Sequence, residues 1–193
     1  MEESNTIPKK SKIDYASDFK ISRMKPKIKA TDPHKHDEYH ELIYLTGGTG
    51  FHTIDLQTYQ IDVPSLFLVK AGEVHYWEFT EVPEGYVVIF RSDFLAHLST
   101  DGIYSSFNQT RNRYFPLGVS NYFPFTSLFE LIETEYSSGD HFSNRVIASS
   151  LELIFTQMFR ISRQNRQTDL APREKTFQKF QELMDSHIHE CYL

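Results

Sequence analysis

Two short stretches decide the fold: residues 33–41, PHKHDEYHE, and residues 71–77, AGEVHYW. Between them lie a glycine turn and two segments whose alternation predicts β-strands. His34 and His36 are two residues apart, so in an extended chain they point to the same side. Glu41 and His75 follow on other predicted strands. We expect these four side chains to converge inside a small β-barrel.

Alternation with a period of two continues on both sides of this stretch. Glu41, Ile43 and Leu45 share one face of the strand predicted at 39–46, and apolar residues also occupy the other face. One face is therefore expected to line the barrel interior and the other to lie beneath a second layer. The hairpin formed by 51–56 and 59–63 is expected to turn near Gln57-Thr58, and further strands are predicted at 66–69, 75–79 and 86–90. This spacing of short strands and turns predicts a sandwich or small barrel.

Beyond Phe90 the spacing of apolar residues becomes helical. Residues 92–118 are expected to be irregular, apart from one helical turn at 93–98. Three helices are then predicted, from Ser120 or Asn121 to Ser138, from Ser143 to Ser162, and from about Arg173 onward. Pro124 is expected in the first turn of the first of them. The third meets Leu193 without a stop signal, which predicts that the natural protein continues.

Composition narrows the function classes. The 193 residues carry a net charge of −6, which disfavours nucleic acid as a direct partner of the chain as a whole. One cysteine, Cys191, excludes an internal disulfide. No run approaches the roughly 18 apolar residues of a membrane span, and the first ten residues lack the apolar core of a secretory signal. A cytoplasmic protein without membrane contact is expected.

Basic residues are concentrated near the N-terminus. Between Lys9 and Lys29 there are eight of them, against only Asp14 and Asp18. The favoured interpretation is a solvated leader, mobile over residues 1–13, followed by a solvated first strand. The alternative is a basic arm that contacts DNA or a partner domain.

Two interpretations of the converging side chains arise from the residues themselves. Imidazole nitrogens with one carboxylate suit Fe(II), Zn(II), Ni(II) or Mn(II), which would favour a metal-dependent dioxygenase or isomerase. A pocket without metal would combine aromatic faces with a few polar groups and take a sugar or another small polar metabolite. For Trp77, an equally good interpretation is that it fills the barrel core and does not contact a ligand. The pocket residues would be His34, His36, Tyr39, Glu41, His75 and Trp77.

A family resemblance favours the second interpretation. Residues 33–41 with Gly47-Gly48, and residues 72–75, resemble the two motifs of the cupin superfamily. The string from Pro33 to Trp77 is similar to the N-terminal sensor domain of AraC-type transcription regulators. The resemblance implies a mainly β fold with appended α: a cupin-like (double-stranded β-helix or jelly-roll) barrel followed by two to three C-terminal helices.

The resemblance also implies a function. The chain would be a ligand-sensing and dimerisation domain that binds a small polar, sugar-like effector in the barrel. It would form a homodimer, and it would control DNA binding by an attached C-terminal helix-turn-helix module that lies beyond Leu193. DNA would be a partner only through that module. The alternative is a free-standing metal-dependent cupin enzyme.

This interpretation divides the chain into four parts. They are a mobile arm at 1–13, the effector-binding barrel at 14–118, a helical dimerisation region at 119–163, and at 164–193 a linker with the start of the helix that leads to the DNA-binding module. The expected dimer surface consists of Leu128, Phe129, Ile132, Ile147, Leu151, Ile154, Phe155 and Met158.

The chain departs from the metal-binding cupin pattern at two flanking positions. Lys70 stands where that pattern has a proline, and Phe79 where it has an asparagine. We therefore expect no catalytic residues and no cofactor. If a divalent transition metal is bound, the candidate ligands are His34, His36, Glu41 and His75.

Overall fold

The computed structural model describes residues 7–10, 18–94, 107–118 and 123–164. The chain divides into two compact units, Met1–Thr156 and Gln157–Leu193. All the strands and the first helix belong to the first unit, and residues 157–164 of the second are helical. The predicted third helix, the linker from residue 165 on, and most of the predicted mobile arm lie outside the described residues.

Within the described residues, nine strands form two antiparallel sheets. The strands are β1 (Phe19–Arg23), β2 (His34–Lys35), β3 (His40–Gly47), β4 (Gly50–Ile54), β5 (Gln57–Gln60), β6 (Ser65–Val69), β7 (Val74–Phe79), β8 (Glu84–Phe90) and β9 (Tyr114–Pro116). One sheet has the order β1-β8-β3-β6-β9 and the other the order β2-β7-β4-β5. Side chains from both sheets, such as Leu45 and Phe67 from the first and Ile54 and Phe79 from the second, share one buried core. The predicted mainly β architecture is confirmed.

The glycine turn after β3 has the geometry that its sequence predicts. Gly48 and Gly50 have φ angles of 100° and 140°, a region that residues with a Cβ rarely adopt. A Cβ on Gly50 would lie 2.1 Å from the carbonyl oxygen of Glu78 on β7. Only glycine permits this close approach, so the turn fixes how β3 passes into the second sheet.

Three local predictions are corrected. The β4–β5 hairpin turns at Asp55-Leu56 instead of Gln57-Thr58, because Asp55 adopts a left-handed conformation (φ 51°) and its side chain accepts a hydrogen bond from the Val74 amide. The region 92–118 contains β9, which at three residues is too short to give an alternation signal. Pro124 is the N-cap of the first helix, not part of its first turn.

In the part of the chain that the structure describes, two helices follow the last strand, α1 (Phe125–Ser138) and α2 over 143–164. Gly139 ends α1 in a left-handed conformation, and its amide donates to the Glu135 carbonyl, a common helix stop. No helix in the described ranges is long and apolar enough to span a membrane.

The helices cover the outer face of the first sheet. Phe129 of α1 stacks on Tyr44 of β3 at a centroid separation of 4.9 Å, and Phe155 of α2 contacts Phe90 of β8 at 5.7 Å. The prediction that the second face of β3 lies beneath another layer is confirmed. This packing also changes the picture of the dimer surface, because all of its expected residues except the half-buried Leu128 are buried within the single chain.

Candidate functional site

Strand register brings distant histidines together on the inner face of the second sheet. His34 on β2 lies directly opposite His75 on β7, and His75 lies opposite Ile54 on β4. One rung along, Trp77 lies opposite His52. Residues that pair directly across strands project to the same face. The second sheet therefore presents imidazoles and one indole to the barrel interior.

The first sheet presents a different set to the same interior. Glu41 on β3 lies opposite Ile89 on β8, which in turn lies opposite Lys20 on the edge strand β1. The next rung holds Ile43, Val87 and Ser22. The inner wall of this sheet thus runs from a buried carboxylate, across aliphatic side chains, to a lysine at its edge.

His34, His36, His75 and Glu41, hereafter the histidine cluster, meet where the two sheets face each other. The His36 Nε2 atom lies 3.0 Å from His75 Nε2 and 3.2 Å from Glu41 Oε1, and Glu41 Oε2 lies 3.9 Å from His75 Nε2. One ring nitrogen from each of the three histidines falls within 4.8 Å of the others. All four side chains are buried.

The hydrogen bonds around the cluster restrict where its protons lie. His34 Nδ1 is 2.7 Å from the Asp32 carbonyl oxygen, and His36 Nδ1 is 2.8 Å from the Lys10 carbonyl oxygen. Because a carbonyl oxygen can only accept, both Nδ1 atoms must carry hydrogen. In its neutral form His36 then turns the lone pair of Nε2 toward the Glu41 carboxylate. A proton or a metal ion between these two acceptors would relieve the repulsion between them.

The donor set fits a divalent transition metal. Bonds of about 2.0–2.1 Å to nitrogen place two neighbouring imidazole ligands about 3 Å apart, close to the separation of His36 and His75. A metal-bound histidine usually donates its other ring N–H to a carbonyl or carboxylate. His34 and His36 both have such partners. The predicted candidate ligands His34, His36, His75 and Glu41 are thus brought together.

His52 belongs to this environment, although the sequence argument did not include it. Its Nε2 lies 3.1 Å from His75 Nδ1, and its ring stacks on Trp77 at a centroid separation of 3.4 Å. Trp77 also stacks on Phe79 at 4.9 Å. The alternation of β4 carries the missing signal, since His52 and Ile54 share the inner face. Because protein rings engage the indole, Trp77 behaves as a core side chain that also borders the cavity.

Beside the cluster, the barrel encloses a cavity of about 830 Å³. Of the six predicted pocket residues, His34, Glu41 and Trp77 line it, whereas the other three, Tyr39 among them, are not lining residues. The apolar part of the wall comprises Met24, Ile28, Ile43, Val87 and Ile89, and the hydroxyl residues Ser22 and Thr31 line the cavity as well. A volume of this size is typical of a small-molecule site.

Basic residues border the same cavity. They are Lys10, Lys20, Arg23 and Lys25, and Glu41 is the one acidic residue that accompanies them in the lining. The pattern of pocket aromatics and histidines in the sequence did not reveal them. Their signal was the basic run near the N-terminus, which the sequence argument had assigned to solvent.

Part of the predicted mobile arm is attached to the cluster. The Lys10 carbonyl accepts hydrogen bonds from His36 Nδ1 and from the Tyr39 hydroxyl, the latter at 3.1 Å. Lys10 and Lys35 also share a backbone hydrogen bond of 3.1 Å, and Lys35 donates to the Pro8 carbonyl. Residues 8–10 therefore extend the second sheet beside β2.

A second connection leads from the barrel to α1. The Arg23 guanidinium donates two bonds to Glu133, of which the Nε bond to Oε1 is 2.8 Å, and it lies over the Tyr86 ring at 4.1 Å from the centroid. Thr126, also on α1, bonds the Tyr44 hydroxyl at 2.8 Å. The edge strand beside the cavity is thus tied to a helix on the opposite face of its sheet.

His40 is a histidine whose role in this barrel is purely structural. Its Nδ1 accepts from the Ala71 amide at 2.9 Å, and its Nε2 donates to Ser92 Oγ at 2.9 Å. Burial, followed by the charges of Lys70 and Arg113, lowers the pKa of His40 from 6.5 to about 4. It is therefore neutral at physiological pH and faces away from the cavity.

Lys70, one of the two departures from the metal-binding cupin pattern, has a structural role. Its ammonium donates to the carbonyls of Asn108 and Thr110 at 3.0 Å each. Arg113 binds the Glu73 carboxylate through Nε at 2.6 Å. These contacts fasten the segment that leads into β9 onto the β6–β7 turn.

Comparison with known proteins agrees with this architecture. Residues 21–175 match a family described as the AraC-like ligand binding domain. No match to the sequence is found among curated proteins.

Three of the similar solved structures illustrate the range of sequence identity and coverage. ToxT from Vibrio cholerae is 14% identical, with a TM-score of 0.44 over 74% of this chain and 56% of that one. A predicted oxalate decarboxylase from Thermotoga maritima is 20% identical, with a TM-score of 0.31 over 38% of this chain and 64% of that one. A cupin 2 conserved barrel domain protein from Rhodopseudomonas palustris is 14% identical, with a TM-score of 0.28 over 50% and 86%. The chain thus spans less than two thirds of the first two of these structures.

The family match extends from the first strand of the barrel through the second helix and covers most of the 193 residues. It agrees with the resemblance in the cupin motifs and with the cavity between the two sheets. This protein belongs to the AraC-like ligand binding domain family.

Proposed function

We propose that this chain is the effector-binding and dimerisation domain of an AraC-type transcription regulator. A small polar, sugar-like molecule would bind in the barrel, and its binding would control how an attached C-terminal module engages DNA. The observation that carries the proposal is the cavity of about 830 Å³ inside a chain of this family, lined by both polar and apolar side chains.

The polar groups suit hydroxyl-bearing ligands. His34 and Glu41 reach the cavity from opposite sheets, so a ligand between them could both donate and accept hydrogen bonds. Aliphatic side chains such as Ile43 and Val87 would contact the apolar surface of the ligand. Because Trp77 already stacks on protein rings, its edge, and not a free face, is the part offered to a ligand.

Two physical connections support a linkage mechanism. The arm is held by hydrogen bonds from His36, which contacts the cavity-lining Glu41, and from Tyr39, and α1 is held by the pair between Glu133 and Arg23 on the edge strand. A ligand that shifts the edge strand or the histidine cluster would change the free energy of both contacts. Differential affinity for two arrangements is what allosteric control requires.

For the homodimer, the exposed apolar side chains of the helices are the better candidates. Leu131 and Tyr136 on α1 and Leu153 on α2 are each at least 39% exposed, in contrast to the buried stripe predicted from sequence. Sedimentation velocity of Leu131→Glu and Leu153→Glu variants tests this assignment. A dimer that survives both substitutions would place the interface elsewhere.

A thermal-shift panel of sugars and other small polar metabolites tests effector binding. A ligand at 100 times its Kd stabilises the folded state by about 2.7 kcal/mol. Val87→Phe should fill part of the cavity and abolish the shift. Leu56→Ala, at the fully exposed hairpin tip, is the matched control and should retain it. No shift from any compound would contradict the proposal.

A second candidate function, metal binding, is favoured by one specific observation, the convergence of His34, His36, His75 and Glu41. When bound, a divalent transition metal would act as a Lewis acid for an oxygen atom of the ligand. Metal analysis of protein purified without chelator distinguishes the two candidates. Stoichiometric metal that is lost in His34→Ala and Glu41→Ala would support this site, whereas metal-free protein that still binds its effector would exclude a requirement for it.

A further inference from the structure

One end of the barrel carries a basic turn, residues 24–29 with the sequence MKPKIK. Its three lysines, Lys25, Lys27 and Lys29, are exposed, and it contains no acidic residue. The Ile28 amide donates to the Lys25 carbonyl at 3.2 Å, which closes the turn. None of the three ammonium groups forms an ion pair with any residue in the described ranges. The positive charge of this turn is therefore not neutralised within the described chain.

An acidic turn, residues 78–84 with the sequence EFTEVPE, leads from the end of β7 into β8. Glu78, Glu81 and Glu84 are exposed, and no lysine or arginine lies among them. These three carboxylates likewise form no ion pair within the part of the chain that the structure describes. The acidic turn thus carries three negative charges that the described chain leaves unmatched.

Backbone hydrogen bonds hold the two turns side by side. The Met24 amide donates to the Gly85 carbonyl at 2.8 Å, and the Phe79 amide donates to the Lys29 carbonyl at 2.6 Å. The basic turn is thus attached through its first and last residues to the two ends of the acidic turn. Two strips of opposite charge therefore lie next to each other at one end of the barrel.

The acidic turn is held in place before any partner binds. The Thr80 amide donates to the Thr49 carbonyl at 2.9 Å, and the hydroxyl oxygens of these two threonines lie 2.8 Å apart. A Cβ on Gly48 would lie 2.8 Å from Pro83 Cα, so the β3–β4 turn packs closely against the acidic turn. A surface that is already ordered loses less conformational entropy when it associates.

Exposed apolar side chains flank the carboxylates. Phe51 on β4 lies opposite Glu78 on β7, so its ring stands beside that carboxylate on the same face of the second sheet. Val82 lies within the acidic turn itself. The two apolar side chains are 43% and 59% exposed. The barrel end thus combines apolar area that association can bury with charges of both signs.

Adjacent strips of opposite charge are complementary to a copy of themselves. In a contact with a twofold axis each pair of residues meets twice, so the basic turn of one copy faces the acidic turn of the other, and the reverse. A uniformly acidic or uniformly basic partner would be repelled by one of the two strips. Charge complementarity therefore favours a second copy of this chain over a nucleic acid or a basic protein.

We propose that the basic turn and the acidic turn form a self-association surface through which two copies of this chain contact each other. This barrel-end contact is separate from the exposed apolar residues of the helices, and it goes beyond the proposed function. If both contacts form, the assembly extends beyond a dimer, because each contact has its own twofold axis. The barrel-end contact should be the more sensitive to salt, since ions screen exposed charges.

Sedimentation velocity over a series of protein concentrations measures the contact. The chain is compared with and without Leu131→Glu, so that association through the helices is separated from association through the barrel end. We expect association that persists with Leu131→Glu and that weakens by about fivefold or more when NaCl is raised from about 50 to 500 mM.

Charge reversals locate the contact. Glu81→Lys and Lys27→Glu each place like charges opposite one another twice per pair of copies, and each should weaken association by about tenfold or more. Asp93→Lys and Arg111→Glu change the net charge by the same amounts at exposed residues outside the two turns, and they should leave association unchanged. Far-UV circular dichroism checks that each variant is folded.

Restoring the complementarity should restore the contact. The double variant Glu81→Lys with Lys27→Glu exchanges the two signs and keeps the net charge of the unmodified chain, so it should associate again. An equimolar mixture of the two single variants should also associate, because each copy then offers the charge that the other lacks.

Three outcomes would overturn the inference. The first is a single species at every concentration and salt level in the Leu131→Glu chain. The second is an equal loss in the control variants, which would assign the effect to net charge. The third is a double variant that stays dissociated, which would show that the two turns do not meet each other. None of these results depends on effector binding, so the thermal-shift panel tests the proposed function separately.

Discussion

The histidine cluster and the cavity-lining lysines Lys10, Lys20 and Lys25, hereafter the mouth, have opposite electrostatic environments. In the cluster every polar side chain is buried and faces another polar group of the protein. At the mouth, Lys10 and Lys25 are exposed and have no acidic partner among the described residues. Buried polar groups must be satisfied internally because they have lost water. Exposed charges keep their hydration and can still form contacts with a ligand.

From this difference we associate the residues of the histidine cluster with stability of the fold and the residues of the mouth with ligand specificity. The cluster has the residue types that suggest chemistry, but its internal hydrogen bonds show that it also holds the arm and the two sheets together. The mouth consists of ordinary lysines, and little of the fold depends on them. Substitutions in the two regions should therefore separate folding from binding.

The largest expected effect is that of His36→Ala. It removes the hydrogen bond to the Lys10 carbonyl and leaves the buried Glu41 carboxylate without its nearest partner, at 3.2 Å. We expect a loss of about 4 kcal/mol in the free energy of unfolding, since truncating a fully buried ring to alanine typically costs about 3–5 kcal/mol. Urea unfolding in the presence of a chelator measures it without a contribution from metal. A loss below about 1 kcal/mol would mean that the cluster does not stabilise the fold.

Acid should destabilise the barrel through His40, which shares β3 with Glu41 but faces the other way. The folded protein holds the pKa of His40 at about 4, against an ordinary value of 6.5. Between these values the unfolded chain binds a proton that the folded one does not, so stability falls as the pH falls from about 6.5 to 4. The total from this residue is about 3 kcal/mol. Urea midpoints at several pH values should show the slope, and His40→Gln should flatten it.

A smaller effect is expected for Tyr39→Phe. The substitution removes only the hydroxyl, which donates to the Lys10 carbonyl at 3.1 Å and lies 2.6 Å from His36 Nδ1, and retains the ring that stacks on His36. A loss of about 2 kcal/mol is expected, since each neutral hydrogen bond contributes about 1 kcal/mol. Hydrogen exchange should become faster at the Lys10 and Lys35 amides, which pair the arm with β2. Unchanged protection there would argue that the arm is held by other contacts.

The smallest effect on folding belongs to the mouth. Lys25→Ala should change the free energy of unfolding by less than about 0.5 kcal/mol, because the side chain is exposed and outside any described ion pair. Chemical denaturation beside His36→Ala provides the direct comparison. A loss of several kcal/mol would contradict the division between a stabilising cluster and a binding mouth.

The sequence predicted the parts of the site that depend on period and order. His34 and His36 share a side, Glu41 and Ile43 share the inner face of β3, and the Gly48 turn reverses the chain, all from local rules. Where local rules compete, the prediction was wrong by two residues: the hairpin predicted to turn near Gln57-Thr58 turns at Asp55-Leu56, with Asp55 in the left-handed conformation. Pro124 likewise became an N-cap.

By itself, then, the sequence determined the barrel, the convergence of the histidine cluster and the presence of helices beyond it, because alternation and motif spacing are encoded locally. Only the tertiary structure decided what those residues face. Strand pairing set His52 against His75 and turned Lys20 into the cavity, and packing on Tyr44 buried Phe129 within the chain. An apolar stripe or a basic run in the sequence shows only that one face of an element is apolar or that one segment is positively charged. Which partner covers it depends on contacts between residues far apart in the chain, and no local pattern contains them.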